Sequence, residues 1–165
     1  MINIILATTQ SQFQLIEKLA KIIWHEHYPS ILSIEQIDYM LKSFNSVEAF
    51  KNHSKSGSLF FYMTYNHEVV GYMAITPESN FLFINKLYIL KDFRGKGLAK
   101  KTMQFIEAKA KILSLSSIVL FVNKYNTNSI LAYEKMGFVK IKSMITNIGN
   151  GFVMDDFEME KTIDN

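Results

Sequence analysis

One short segment, Arg94-Gly95-Lys96-Gly97-Leu98-Ala99-Lys100-Lys101, combines the residue types that hold an anion. Glycines let the backbone approach an oxygen that a side chain would block. A helix beginning behind them offers unpaired N–H groups and a partial positive charge. Arginine and lysine add charge-assisted bonds. Residues 91–111 carry Lys91, Arg94, Lys96, Lys100, Lys101, Lys109 and Lys111 against Asp92 and Glu107, a local +5 in a chain of net charge +3. Charge gathered on one element points to one anionic ligand, not to a nucleic-acid coat. Spacing excludes two phosphate loops. GxxxxGK[ST] would need glycine where Lys100 stands, and so would GxGxxG, which also belongs after a first strand and not a late one.

The spacing that does fit is R-x-x-G-x-A, at Arg94, Gly97 and Ala99. A second block, Asn128-Ser129-Ile130-Leu131-Ala132-Tyr133-Glu134-Lys135-Met136-Gly137-Phe138, follows the next strand-like run. On these two segments and on its element order the chain resembles the GNAT superfamily of acetyl-CoA-dependent N-acetyltransferases. Their pyrophosphate motif is [Q/R]-x-x-G-x-[G/A] at a strand–helix junction, and a N-x-x-A-x-x-x-Y-E-K-x-G-F segment lies near their end. The small residue of that segment falls here at Ser129 and Ala132. The resemblance covers residues 55–162 well and the first 50 only in outline.

The resemblance implies the roles. Strands 81–90 and 117–122 splay, and the pantetheine arm of acetyl-CoA enters between them. Backbone groups of Leu87, Tyr88 and Ile89 pair with that arm. Backbone N–H groups of Arg94, Gly95, Lys96, Gly97, Leu98, Ala99 and Lys100 hold the pyrophosphate, and Asn128 bonds the cofactor arm. Tyr133 stands by the sulfur as general acid; the alternative is an aromatic packed in a short helix. Many relatives carry a glutamate base on the strand before the glycine loop. Phe81 to Leu90 has no acidic residue, and Phe83 stands eleven before Arg94. A water chain then takes the proton, or an acid enters from elsewhere. Glu26, with His27 and Tyr28, is the candidate acid and acceptor contact, because the family sets its first helix over the acceptor; the alternative is an ordinary helix end. Asn123 touches acceptor or cofactor, or simply forms a turn.

The implied reaction moves an acetyl group directly from acetyl-CoA to a primary amine, a small molecule or polyamine. The alternatives are a protein or peptide N-terminus or lysine as acceptor, and a non-catalytic acyl-CoA-binding module. Nucleic acid and membrane are not expected partners. A homodimer is left open.

These residues need elements to position them. Ile2–Ala7 reads as a strand. A helix follows, capped by Ser11, with Phe13, Ile16, Ala20 and Ile23 at helical spacing and an end near Tyr28-Pro29. Ser33 with Gln36 makes a capping box for a helix whose stripe is Ile34, Ile37, Leu41 and Phe44. A short helix from Ser46 to about Ser54 comes next. Strands 59–65 and 69–76 flank a turn at Asn66-His67-Glu68. Phe81–Leu90 is near-continuously apolar, so a central strand covered on both faces. Leu98–Leu113 is a helix with Ala99, Met103, Ile106, Ala110 and Leu113 on one side. Strand 117–122, helix 128–136 closed by Gly137, and strands 138–145 and 152–160 complete the chain. Strand 81–90, helix 98–113 and strand 117–122 form a right-handed βαβ unit. The expectation is a GNAT-like mixed α/β sheet of seven strands, with one central parallel pair and helices on both faces. Residues 1–165 would be one domain, with a core at 55–162 and a helical acceptor-side region at 8–54.

Composition agrees. Among 165 residues, 48% are apolar, enough for a core. Zero cysteines exclude disulfides, thiolate zinc sites and a cysteine nucleophile. The four histidines lie at 25, 27, 53 and 67 without metal-ligand spacing, so no metal is expected. No apolar run reaches the ~18 residues of a membrane span, and the start lacks signal-peptide form, so a cytoplasmic protein is expected. The acidic tail, Asp155, Asp156, Glu158, Glu160 and Asp164, reads as a solvated strand face, with the option of attracting a cationic amine.

Overall fold

The computed structural model describes residues 1–164; Asn165, the last residue of the expected domain, lies outside the described residues. In chain order come β1 (Ile2–Leu6), α1 (Gln10–His27), α2 (Ile34–Phe44), α3 (Val47–Lys55), β2 (Leu59–Tyr65), β3 (Glu68–Pro77) and β4 (Phe81–Ile89). A 3₁₀ turn at Lys91–Phe93 leads to α4 (Leu98–Ile112), then β5 (Ser117–Asn123), α5 (Thr127–Lys135), β6 (Val139–Gly149) and β7 (Phe152–Thr162). The strands hydrogen-bond in the order β1-β2-β3-β4-β5-β7-β6. The pair β4–β5 is parallel. This is the mixed seven-stranded sheet that the element order predicts. The chain divides into two compact units: 1–76 with 85–103, and 77–84 with the segment from 104 onward. β4 gives its last five residues to the first unit and its first four to the second.

In the first unit, Thr9 caps α1, not Ser11. Its extended backbone lets Oγ1 accept from the Gln12 N–H at 3.3 Å, while Gln12 Oε1 accepts from the Thr9 N–H at 3.0 Å. Ser11 is already inside the first helical turn. The helix buries Phe13, Ile16, Leu19, Ala20, Ile23 and Trp24 and stops at Tyr28, before Pro29. Ser33 caps α2, which buries Ile37, Met40 and Leu41; Ile34 is exposed instead of joining the stripe. Ser46 caps α3. The turn between β2 and β3 is two residues, Asn66 and His67, both at positive φ, and Glu68 already pairs with Tyr65. Such a turn matches the twist of a hairpin.

In the second unit, β4 and β5 pair from Phe81↔Ser117 to Ile84↔Leu120. β5 and β7 run antiparallel from Ser117↔Thr162 to Asn123↔Asp156. The β6–β7 hairpin turns at Asn150-Gly151, tighter than the polar stretch 147–151 suggests. Leu82, Ile84, Ile118, Leu120, Val122 and Met159 are buried. The opposite face is not fully covered: Phe121 is exposed, and its ring meets that of Phe83 at 4.8 Å. In α4, Ile106 and Ala110 are buried, but Leu113 lies past the helix end and is exposed. A Lys161–Glu107 ion pair at 2.5 Å ties α4 to β7.

One backbone approach in the first unit is closer than a side chain permits. A Cβ on Gly71 of β3 would lie 2.3 Å from the Tyr88 carbonyl oxygen and 3.2 Å from Ile89 Cα. Both atoms are backbone of β4, so they cannot rotate away. Gly71→Ala is therefore expected to destabilise by about 1–3 kcal/mol or more, the cost of overpacking. Urea unfolding checks it; a midpoint equal to that of the parent would show that β3 and β4 separate freely.

Candidate functional site

The glycine loop is held from below. Leu98, 2% exposed, packs with Met63, Val70 and Ile89, and Leu87, Phe93 and Ala99 lie against that cluster. Thr102 is buried one turn on; its Oγ1 donates to the Leu98 carbonyl at 2.9 Å and lies 3.1 Å from Met63 Sδ. The first turn of α4 is thus fastened while its N–H groups face outward. Gly95 and Gly97 both adopt left-handed φ, +73° and +75°, with nothing within 4 Å of where a Cβ would stand. Glycine takes that conformation without strain. Lys100 and Lys101 are exposed, and Lys96 folds its Nζ over the Phe93 ring at 4.8 Å.

Arg94 uses two of its donors within the chain. Its N–H donates to the Lys91 carbonyl at 3.1 Å, and its Nε donates to the Ile89 carbonyl at 2.9 Å. Its backbone donor and one face of the guanidinium therefore close the turn after β4. The backbone donors left to an anion run from Gly95 to Lys100.

Tyr88, in the first unit, belongs to an aromatic cluster. Its ring lies 5.7 Å from Trp24, 5.2 Å from Tyr72 and 6.4 Å from Tyr28. The Tyr28 and Tyr88 hydroxyls are 3.3 Å apart. Trp24 Nε1 donates to the Tyr72 hydroxyl at 3.2 Å, which donates to Asn45 Oδ1 at 3.4 Å. Tyr72 and Asn45 are buried, and burial pushes the Tyr72 phenol far above its usual range. The helix end thus brings Tyr28 to Tyr88, stacks His27 edge-on against Tyr28 at 4.9 Å, and leaves Glu26 exposed.

The second unit holds the other expected residues. Asn128 is exposed in the first turn of α5, and the half-buried Tyr133 ring meets Phe138 at 5.6 Å. Asn123 is buried, and its Oδ1 accepts from the Tyr125 N–H at 2.9 Å, so it does shape the turn after β5.

The surroundings of two charged residues, Lys86 and Asp156, were not legible in the sequence. Burial lowers the Lys86 ammonium, in β4, to about 8 and, with that cation nearby, lowers His53. Asp156 corrects the view of the acidic tail as a solvated face: it is 7% exposed and stands opposite Asn123. Burial, reinforced by Asp155 and opposed by Lys124, raises its carboxyl to about 6. Asp155 is ion-paired with Lys124 at 2.5 Å, and Glu158 with Lys142 at 3.2 Å. Nothing in the local sequence separates Asp156 from its acidic neighbours; only its pairing with the end of β5 does. Among the described residues no group of three or more metal-ligating side chains is found, and no helix is long and apolar enough to cross a membrane.

A raised carboxyl binds its proton more tightly in the folded state than in the unfolded one. Its contribution to stability is full below the unfolded value near 4 and is lost as pH rises through about 6. Asp156→Asn is expected to remove that loss, so variant and parent differ little at pH 3.5 and the variant is the more stable at pH 7. Thermal melts at the two pH values check the sign; a variant less stable at pH 7 would refute it.

Comparison with known proteins adds an independent line. The model of the Acetyltransferase (GNAT) family matches residues 16–138. An uncharacterized N-acetyltransferase of Escherichia coli K12, YjgM, is 31% identical over 107 residues, 62% of this chain and 64% of its own. An uncharacterized N-acetyltransferase from the pepI 3′ region of Lactobacillus delbrueckii subsp. lactis is 27% identical over 115 residues, 65% and 66% of the two chains. The chain thus spans just under two thirds of the length of these relatives. Among solved structures, the PaiA N-acetyltransferase of Thermoplasma acidophilum, in complex with coenzyme A, superposes with a TM-score of 0.80 at 23% identity, covering 98% of this chain and 99% of that one. The ribosomal-protein-S18-alanine N-acetyltransferase of E. coli gives 0.70 at 14%, covering 100% and 96%. At these identities the likeness is one of fold.

Proposed function

The chain belongs to the GNAT acetyltransferase family, and on that premise we propose that it is an N-acetyltransferase moving an acetyl group from acetyl-CoA to a primary amine, with residues 1–165 as a single catalytic domain. The observation that carries this reading is the loop before α4. Gly95 and Gly97 leave open space in a conformation only glycine holds easily, at a helix end fastened by Leu98 and flanked by Lys100 and Lys101. That cradle fits a pyrophosphate, and the coenzyme A in the PaiA complex supports the same ligand here. Acetyl-CoA supplies an activated thioester carbonyl. The residues of the chain do the rest. N–H groups from Gly95 to Lys100 hold the phosphates. Leu87, Tyr88 and Ile89 offer strand backbone to the pantetheine arm, and Asn128 a side-chain amide. A backbone N–H near Leu87 or Tyr88 would stabilise charge developing on the carbonyl oxygen.

Tyr133 gives a proton to the departing sulfur. Tyr28, beside Tyr88, His27 and Glu26 are the proposed acceptor contacts of the first unit, and Asn123 a proposed contact to acceptor or cofactor from the second. A small alkylamine is the favoured acceptor; a protein terminus is the other outcome of the test below.

Two experiments test this reading. Gly97→Ala keeps room for the methyl group and costs the fold only about 1–2 kcal/mol for its left-handed backbone. It should nonetheless weaken acetyl-CoA binding at least tenfold by calorimetry, because the methyl group would fill the open space proposed for the phosphate. Parent-like affinity would move the pyrophosphate elsewhere. Thiol release from acetyl-CoA, screened over alkylamines, diamines, amino acids and peptides, identifies the acceptor class. With the best amine, Tyr133→Phe should lower kcat by about 10²–10⁴ with cofactor affinity unchanged. A fall under threefold would leave Tyr133 as packing for Phe138.

A further inference from the structure

Asp156 Oδ1 is shielded from solvent and meets no hydrogen-bond donor. Asp155 Oδ1 is equally shielded, but it has the Lys124 ammonium as its ion-pair partner at 2.5 Å, and Asp156 has no such pair among the described residues. A buried carboxylate oxygen that no donor reaches is costly, and it persists where a proton or a cation completes it. Its surroundings in the second unit are specific. Asn123 stands opposite it on β5 and Met144 on β6. Strand alternation puts Phe121 and Asn123 of β5, Phe83 of β4 and Glu158 of β7 on this same face. Glu158 is neutralised by Lys142. The charged groups acting on Asp156 are therefore Asp155, which disfavours its anion, and Lys124, which favours it. A pair of aromatic rings, Phe83 and the exposed Phe121, lies on the face where the Asp156 carboxylate sits. Apolar surface beside a lone carboxylate is complementary to an alkyl chain ending in an ammonium group.

We propose that Asp156, with Asn123 beside it, is the proton acceptor of the transfer and the contact that selects an alkylammonium as acceptor. This rests on the transferase reading above. It supplies the acid that β4 lacks. The ammonium gives one proton to the Asp156 carboxylate, which passes it to solvent. The freed nitrogen pair bonds to the thioester carbonyl carbon, the C–S bond breaks with its electrons on sulfur, and the sulfur takes one proton from Tyr133, which regains it from solvent. The nitrogen, cationic and acidic once bonded to carbon, loses its second proton to water, leaving an amide and a free thiol. An acceptor of ordinary amine pKa, about 10, arrives charged and needs such a base. A carboxylate titrating near 6 is ionised at neutral pH and still basic enough to serve.

The test is a pH profile of kcat/KM for an alkylamine, in the parent and in Asp156→Asn, with acetyl-CoA affinity measured in parallel. The parent should rise to a plateau with an apparent pKa near 6. The variant should be lowered about 10²-fold at pH 7 and climb tenfold per pH unit, following the free amine. Its acetyl-CoA affinity should match the parent's. An arylamine or hydrazide, already neutral at pH 7, should lose less than threefold. Loss of fold is excluded as an explanation if the variant melts no lower than the parent at pH 7. A variant that keeps the plateau, or that loses alkylamine and neutral amine alike, overturns the proposal while leaving the transferase reading standing. A parent that binds acetyl-CoA but releases no thiol with any amine overturns the transferase reading itself, and this proposal with it.

Discussion

Two parallel strands cannot be joined by a turn. β4 and β5 run the same way from Phe81↔Ser117 to Ile84↔Leu120, so the chain must leave the end of β4, travel back along the sheet, and start again. A helix is the economical way to do that. This one requirement puts a helix N-terminus just beyond β4 and orients its free N–H groups outward. The abrupt change of direction falls at residues 94–97, where Gly95 and Gly97 absorb the left-handed angles. The anion-binding end is therefore a consequence of strand direction before it is a feature of any ligand. Leu98 and Thr102 make the consequence rigid, since both are buried one turn apart on the side facing the sheet.

Buried polar groups divide into two kinds in this protein. Tyr72 is saturated: it accepts from Trp24 and donates to Asn45, whose Nδ2 in turn donates to the Met40 carbonyl at 3.2 Å. A satisfied network of that sort fixes α1 and the end of α2 against β3 and is best left neutral. Asp156 is the opposite case, with an oxygen that no donor reaches. The difference matters because the same low dielectric strengthens a completed bond and penalises an open one. Where a family member lacks an acidic residue in the strand before its glycine loop, an open carboxylate on another strand is the natural place to look for proton traffic.

Much of the scaffold is legible in the chain because its signals are local. Pro29 stops α1, Ser33 and Ser46 cap the helices they precede, and Gly137 ends α5 in a left-handed turn at φ +95°. The errors are also local in origin. Thr9 and Ser11 are both good caps, and each stands three residues before a glutamine, so the local pattern does not choose between them; the helix starts at Gln10, and the box that forms is Thr9 with Gln12. Asn66-His67 and Asn150-Gly151 each sit among further polar residues, which blurs where a strand resumes. Arg94 is a phosphate ligand by type, and the structure adds what type does not announce: its backbone N–H donates to the Lys91 carbonyl and its Nε to the Ile89 carbonyl.

The amino-acid sequence by itself determined the order of elements, the parallel pair and the glycine loop, because periodicity, caps and glycine spacing act over a few residues. It also carried the family, in the Arg94–Ala99 and Asn128–Phe138 segments. The tertiary structure alone decided which charges are hidden. Asp155, Asp156 and Glu158 are one acidic run as letters. Strand alternation and pairing send Asp155 to Lys124, Glu158 to Lys142, and Asp156 to a buried place opposite Asn123, thirty-three positions earlier in the chain. Burial of a charge depends on what the fold brings across from it, and that partner is not written next to it.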